Sequence, residues 1–557
     1  MRICAVRSLP PSAFVLLLLF MIVGSAPGTA WGSPPEGGHF FPEPVTARMD
    51  EGGPAAAGAR EFRAYWVDAF GPGLYDPREI DALVADARAA HMNALIVQVG
   101  RRGDCFCNRA IMPRTEAGIA SLPFDPLQTL IEKAHAQGVQ VHAWISATAI
   151  WSGEAPPRDP RHVFNTHGPS ATGLDNWIML RSDGADRGGP DYYLDPGHPA
   201  AAEYIVRMYT SIVANYEVDG VNLDRIRYPD YNLGSNEPSW GYNPVAVARF
   251  QAATGRSDTP APDDPEWGDW RRGQITSIVR RIYLEAFAIN PRVRVSADTI
   301  TYGDGPQTRE GWERTRPYVE VLQDWRGWME EGILDLNIPM NYRRESPSAE
   351  PNIQRRAFEE WNDFVKDHQY RRQAAIGLAF FLNDIAATIA QVRQALAPSA
   401  SQNAAYGWAG FSYRAPDAVS SQQGASGDAG RAELTRALTQ PSGLDQDMPP
   451  AFASPAAVPD MSWKARPTTG HLRGTVLRPD GVPLDQARID LYDLRSGALA
   501  GRRITDGSGW FGFVDLKPGA YKVVVDAAVA RGAAVARASV AAGGLATVSL
   551  VLLPTSR

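Results

Sequence analysis

Four aspartates, Asp68, Asp104, Asp224 and Asp298, each stand at or just beyond the end of a short apolar run. Amides and guanidinium groups recur in similar places: Gln98, Arg102, Arg227 and Asn341. So do rings: Trp144, Tyr228, Tyr342 and Trp408, with His142 two residues before Trp144. Carboxyl groups in this company can pass a proton to a leaving oxygen and support the carbon left behind. Flat rings can stack on pyranose faces, while amides and arginines bind hydroxyls. The chemistry these types would support together is acid/base cleavage of a glycosidic bond.

Each residue also has a structural reading. Asp68 could cap a turn or pair with an arginine. Asp104 could satisfy loop amides beside Arg102. His142 could be a hydrogen-bonded core residue, and Trp144, Trp408 and Tyr342 could simply close a cavity. Asp224 stands apart, because Gly220-Val221-Asn222-Leu223 before it reads as a buried strand. A carboxylate there is costly unless paired or functional. Arg225 and Arg227 offer the alternative of an ion pair.

Convergence of these residues requires a scaffold. Short apolar runs at 61–70, 93–100, 139–146, 220–228, 293–301, 334–342, 374–382 and 406–413 read as strands. Amphipathic stretches at 77–91, 126–137, 199–216, 270–289, 354–367, 384–396 and 430–439 read as helices between and after them, with Pro77 and Pro126 near helix starts. Strands alternating with helices predict an α/β fold, a (β/α)8 TIM-type barrel over 61–440, whose active groups would sit at the C-terminal strand ends. A doubly wound sheet would want a Gly-rich phosphate loop after its first strand, and none is present. Residues 441–468 are rich in Pro, Ala and Ser and read as a linker. Residues 469–557 show strand-length runs and turn signals such as Pro479-Asp480-Gly481, and predict a small all-β sandwich.

Composition narrows the function classes. The 557 residues are 44 % hydrophobic and 21 % charged, with net charge −7, a globular balance without the basic face of a nucleic-acid binder. The nine histidines form no His-x-x-x-His pair or Cys/His cluster, so no metal and no cofactor is implied. No Gly-x-Ser-x-Gly elbow is present. Arg2, Arg7 and the apolar run 13–23, followed by small residues to Ala30, read as a signal peptide over 1–30, with a flexible linker over 31–60. The mature protein is expected to be exported, periplasmic or secreted, with no membrane span. Cys105 and Cys107 would lie on one face of an extended segment, where a bridge would be strained, and read as local packing.

The run from Val218 to Pro229 (VDGVNLDRIRYP) resembles the strand-4 signature of glycosyl hydrolase-like family 10. Val97 to Asp104, His135 to Trp144, Tyr193 to Gly197 and Pro339 to Tyr342 fit the same family in order. The resemblance implies a (β/α)8 barrel distantly similar to α-amylase-type and poly-glucosamine hydrolase barrels. It also implies action on a polysaccharide, in one branch on peptidoglycan glycan strands stripped of stem peptides. That branch is lipoprotein, and this chain has no lipid-bearing Cys after its apolar run. Some relatives carry a second Asp where this chain has Arg225. On this basis Asp224 is expected to be nucleophile or general base, with Asp298 and Asp104 as candidate acids. Asp68, Gln98, Arg102, His142, Trp144, Arg227, Tyr228, Asn341, Tyr342 and Trp408 would bind substrate. The C-terminal segment resembles carboxypeptidase-regulatory-like or collagen-adhesin B-type modules, which would contact glycan or an envelope partner, or serve as a spacer. The alternative is a non-catalytic polysaccharide-binding or scaffold protein on a degenerate barrel.

Overall fold

The computed structural model describes residues 60–554 apart from 236, 346–352, 424–426, 442–448 and 528–531. The expected signal peptide and nearly all of the linker that follows it lie outside the described residues. Among the described residues no helix is long and apolar enough to cross a membrane.

Eight parallel strands close into a barrel. They are β1 (Phe62–Val67), β2 (Ala94–Gly100), β3 (Gln140–Ser146), β4 (Gly220–Asp224), β5 (Arg294–Ile300), β6 (Leu336–Met340), β7 (Ile376–Ala379) and β8 (Gly407–Phe411). Each pairs with the next, and β8 returns to β1 with Phe62 opposite Gly407. Around them lie α1 (Pro77–Ala89), α2 (Pro126–Ala136), α3 (Pro199–Asn215), α4 (Pro265–Ile289), α5 (Trp325–Glu331), α6 (Ile353–Asp367), α7 (Ile385–Leu396) and α8 (Asp428–Thr439). An aspartate recurs just before the helices. Asp76, Asp125, Asp264, Asp324 and Asp384 each accept a first-turn N–H, and three of them precede a proline. That pairing supplies a cap and a pre-set φ at once.

Two strands stop earlier than their apolar runs. β4 ends at Asp224 rather than 228, because Arg225 takes φ 49° and turns the chain out of the sheet. The seventh run divides into Gln373–Ala374, then β7, and then a 3-10 turn over Phe380–Leu382. The long β4–α4 connection carries a further helix, Pro244–Thr254.

Alternation along each strand divides the side chains into two cores. Tyr65, Val67, Leu95, Val97, Val141, Val221, Leu223, Val295, Ile376 and Trp408 face the helices. Phe62, Ala64, Trp66, Ala94, Ile96, Trp144, Leu336, Ile338 and Ala409 fill the lumen. Gly377 is required there, because a Cβ would stand 2.4 Å from the Pro339 carbonyl oxygen and 2.8 Å from the Trp66 ring.

The segment that reads as a linker is bound, over its described part, beneath the N-terminal ends of the strands. Phe452 stacks on Trp408 at 5.5 Å, and Val458 packs into the lumen cluster. Its carbonyls accept from the strand entrances: Ser454 from Arg63, Ala456 from Asn93, Pro459 from Arg294 and Asp460 from Gln373. Asp335, just before β6, accepts from Trp463 Nε1 at 2.7 Å and pairs with Lys464 at 2.6 Å.

Beyond this strap, β9 (Gly470–Leu477), β10 (Arg488–Asp493), β11 (Leu499–Ile504), β12 (Trp510–Leu516), β13 (Gly519–Ala527), β14 (Gly532–Val540) and β15 (Leu545–Val551) form two sheets. Their shared core includes Leu472, Ile489, Phe511, Phe513, Val523 and Val525. All pairings are antiparallel except β9 with β15. The sandwich lies against the barrel helices. Arg249 makes two bonds to Asp485 at 2.6 and 2.7 Å, Trp510 donates to Glu285, and Arg503 pairs with Glu331.

The Lys464 and Asp335 side chains are 4 % and 0 % exposed. Removing one member of such a pair strands a buried charge. Lys464→Met is therefore expected to cost about 3–5 kcal/mol near neutral pH in urea unfolding. The loss should shrink as pH falls and Asp335 protonates, and Lys464→Met with Asp335→Asn should recover part of it.

Candidate active site

Strand register brings two carboxyl groups together. Leu223 pairs with Ala297 across β4 and β5, so Asp224 and Asp298 follow side by side on neighbouring strands. Adjacent strands run about 4.8 Å apart. Both side chains face the lumen near its C-terminal mouth and are 8 % and 2 % exposed. Asn222, two residues before Asp224 and on the same face, donates to Asp298 Oδ1 at 3.0 Å and to Ser296 at 3.1 Å. Asp224 accepts from Ser146 Oγ at 3.2 Å and from the Arg225 backbone N–H at 2.7 Å.

Their environments separate the two acids. Burial, then the charge of Asp224, holds Asp298 well above the usual carboxylate range, with Asn222 and Trp66 pulling weakly the other way. Both causes favour the protonated form of the carboxyl group. Among the described residues no arginine forms an ion pair with it. Arginine instead lies on the Asp224 side. Arg225 bonds Asp191 at 2.5 Å and Tyr193 at 3.3 Å, and Asp191 pairs through its other oxygen with Arg102 at 3.0 Å. Arg227 lies nearby against Asp230, which accepts from Tyr302 at 2.6 Å.

Rings form the other half of the mouth. Trp66, Trp144, Tyr342 and Phe411 meet edge to face or tilted, at centroid distances of 5.7 to 6.3 Å. The Tyr342 hydroxyl feels both carboxyl groups, which with burial raises its pKa. A carboxyl pair with one member protonated, beside a wall of rings, can protonate a leaving oxygen and support positive charge on a sugar ring.

Of the residues singled out from sequence, Asp224, Asp298, Trp144 and Tyr342 meet at this mouth. Arg102 and Arg227 belong to its charged side. The others are engaged in contacts of their own. Asp104 accepts from Thr115 Oγ1 and the Arg102 N–H, shaping the loop after β2, and it is not among the groups acting on Asp298. Asp68 is bound by Ser412 and Arg414, and Gln98 accepts the Ala69 N–H, so both tie the β1 exit. Asn341 donates to Phe358 and Asn362, fixing α6. Tyr228 is buried behind the mouth beneath Arg271. His142 points inward but enters β3 too early. It lies at the floor against Phe62, and burial, then Arg294, lowers its pKa to about 3. Trp408 is one residue out of phase and faces the helices, whereas Phe411 on the same strand reaches the mouth.

Cys105 and Cys107 form a disulfide, contrary to the packing role expected of them. The segment is bent rather than extended, which brings the Cα atoms to 5.0 Å, inside the usual bridging range. Asn222, Trp66 and Phe411 were legible by period two. Asp191 was not, because it lies in a short strand inside the β3–α3 connection, and Tyr193 stood out only through the Tyr193–Gly197 family motif.

A closed (β/α)8 barrel with a buried carboxyl pair and rings at its C-terminal mouth is of the glycoside-hydrolase-like class. Comparison with known proteins specifies it further. The chain belongs to glycosyl hydrolase-like family 10, whose model matches residues 61–387. A carboxypeptidase regulatory-like domain model matches residues 471–553. Glycosyl hydrolase YngK of Bacillus subtilis is 26 % identical over 308 residues, 51 % of this chain and 54 % of that protein. Glycosyl hydrolase DigH of Escherichia coli K12 is 26 % identical over 302 residues, 52 % and 62 % of the two chains. The matches thus span a little over half the length of these relatives. Among solved structures, the glycoside hydrolase domain of PgaB (BpsB) from Bordetella bronchiseptica aligns with TM-score 0.44 and 16 % identity, covering 67 % of this chain and 98 % of that one.

The raised pKa of Asp298 has a stability consequence. The folded state holds a proton that the unfolded chain releases near pH 4, so this group's contribution falls as pH rises from there through the folded pKa. Asp298→Asn, which imitates the protonated acid, is expected to melt about 2 °C higher than wild type at pH 8. The gain should vanish near pH 4 in calorimetric scans across that range.

Proposed function

We propose that this protein is an exported glycoside hydrolase acting on a bacterial envelope or extracellular polysaccharide, with an amino-sugar glycan such as denuded peptidoglycan the favoured substrate. The observation that carries the reading is the Asp224–Asp298 pair, in which burial and a like-charged neighbour favour a protonated Asp298. Asp298 would donate its proton to the leaving oxygen as the glycosidic bond breaks. Asp224 beside it would act as nucleophile or as base toward water. Trp66, Trp144, Tyr342 and Phe411 supply ring faces and edges against which a pyranose could lie. Export is supported by the apolar run 13–23 and by the Cys105–Cys107 bridge, a bond typical of oxidising compartments. The amino-sugar preference rests on membership of the family.

Reducing-end release from denuded peptidoglycan glycans, chitooligosaccharides and poly-glucosamine tests the reading. Wild type is expected to release ends from at least one. Asp224→Asn and Asp298→Asn should each lose about 10²–10⁴-fold in kcat with folding intact, while Asp104→Asn keeps turnover. Retention of a glycan on an affinity column with no release from any of the three would replace the hydrolase with a binding protein.

A further inference from the structure

The proposed chemistry makes no use of the ion-pair cluster beside Asp224. Arg225 directly follows that residue and is a non-glycine held at φ 49°, a left-handed conformation that costs free energy unless its surroundings enforce it. The Arg225 N–H itself donates to Asp224 Oδ1 at 2.7 Å. Contacts on both sides of the residue enforce this conformation. The Arg225 carbonyl accepts from Thr148 Oγ1 at 2.7 Å, and its guanidinium is bound by Asp191 at 2.5 Å and Tyr193 at 3.3 Å. Asp191 is 2 % exposed and pairs with Arg102 as well. A carboxylate this deeply buried between two arginines fixes both.

We propose that Asp191 is a positioning residue which, through Arg225, fixes the Asp224 carboxyl group and assigns the negative charge of the carboxyl pair to Asp224. The inference rests on the hydrolase reading for its catalytic meaning, but not for its electrostatics. Asp224 is faced by Asp298 from β5, Arg225 at its own strand end, Tyr209 from α3 and Tyr342 beyond β6. Arg225 is faced by Asp191, Tyr193, Asp224, Asp230, Tyr231 and the neighbouring cations Arg102 and Arg227. The cation is thus one-sided. It adjoins Asp224, while Asp298 is faced by the Asn222 amide, the Trp66 indole, the Tyr209 and Tyr342 hydroxyls and the like charge of Asp224.

The test needs no substrate. In protein carrying ¹³C-labelled aspartate carboxyls, Asp191→Asn and Arg225→Gln are expected to raise the titration midpoint of Asp224 by about one to three pH units. Arg225→Lys, which keeps a cation, should stay closer to wild type. On a cleaved glycan, Asp191→Asn should lower kcat with little change in KM and move the acidic limb of the pH profile upward. Unchanged midpoints in both Asp191→Asn and Arg225→Gln overturn the proposal, as does an Arg225→Lys midpoint equal to that of Arg225→Gln. If Asp191→Asn does not fold, the two Arg225 variants decide alone. Shifted midpoints in a protein that cleaves no glycan would overturn the hydrolase reading and leave the positioning role standing.

Discussion

A closed barrel of eight parallel strands gives each strand one inward side chain for every two residues, and the lumen has room for few large ones. The layout of the candidate site follows from how those inward positions are used. At the floor and middle they are apolar, with Phe62, Ile96, Leu336 and Ile338 packed among smaller residues. At the mouth β1, β3 and β8 supply rings, whereas β4 and β5 supply acids. Trp66 crosses the lumen only because Gly377 leaves space opposite it. The two acids share a low-dielectric corner where both cannot ionise cheaply, so the pair divides its protonation between its members. The arginine cluster outside the lumen breaks the symmetry from one side.

The same inward/outward rule explains what could be read in the sequence. Apolar runs alternating with amphipathic ones are a strong signal, and the barrel was legible from them. Asp224 was legible because a buried strand ends on a charge. Asp298 was legible because the equivalent end of the next strand carries another. Phase is the weaker part of such a reading. On β8 the choice of Trp408 over Phe411 selected the outward face. Depth is weaker still: His142 is inward, yet two layers below the mouth. Asp191 and Tyr193 sit in a connection with no periodicity, so nothing in their spacing announced them. The bend at Cys105–Cys107 is likewise a tertiary property of the loop, not of its spacing.

Composition misled at one place for a physical reason. Residues rich in Pro and Ala form no regular element, and a stretch of them reads as a spacer. Here the irregular backbone is what serves. Its free carbonyls point at Arg63, Asn93, Arg294 and Gln373, side chains at the strand entrances that a helix or strand could not satisfy in this arrangement. Ion pairs from Arg249, Arg503 and Arg372 then join the sandwich to the same body.

That strap also sets an order of events. Asp335 meets Lys464 across 129 residues of sequence, and Trp408 is covered by Phe452 only after α8 has been made. A chain emerging from its amino terminus therefore carries all eight strands before it owns the residues that seal them. Until the strap arrives, the barrel base holds an acid without its lysine and an open apolar floor. Completion of the barrel therefore waits on sequence beyond its last helix, on the stretch that leads directly into the sandwich.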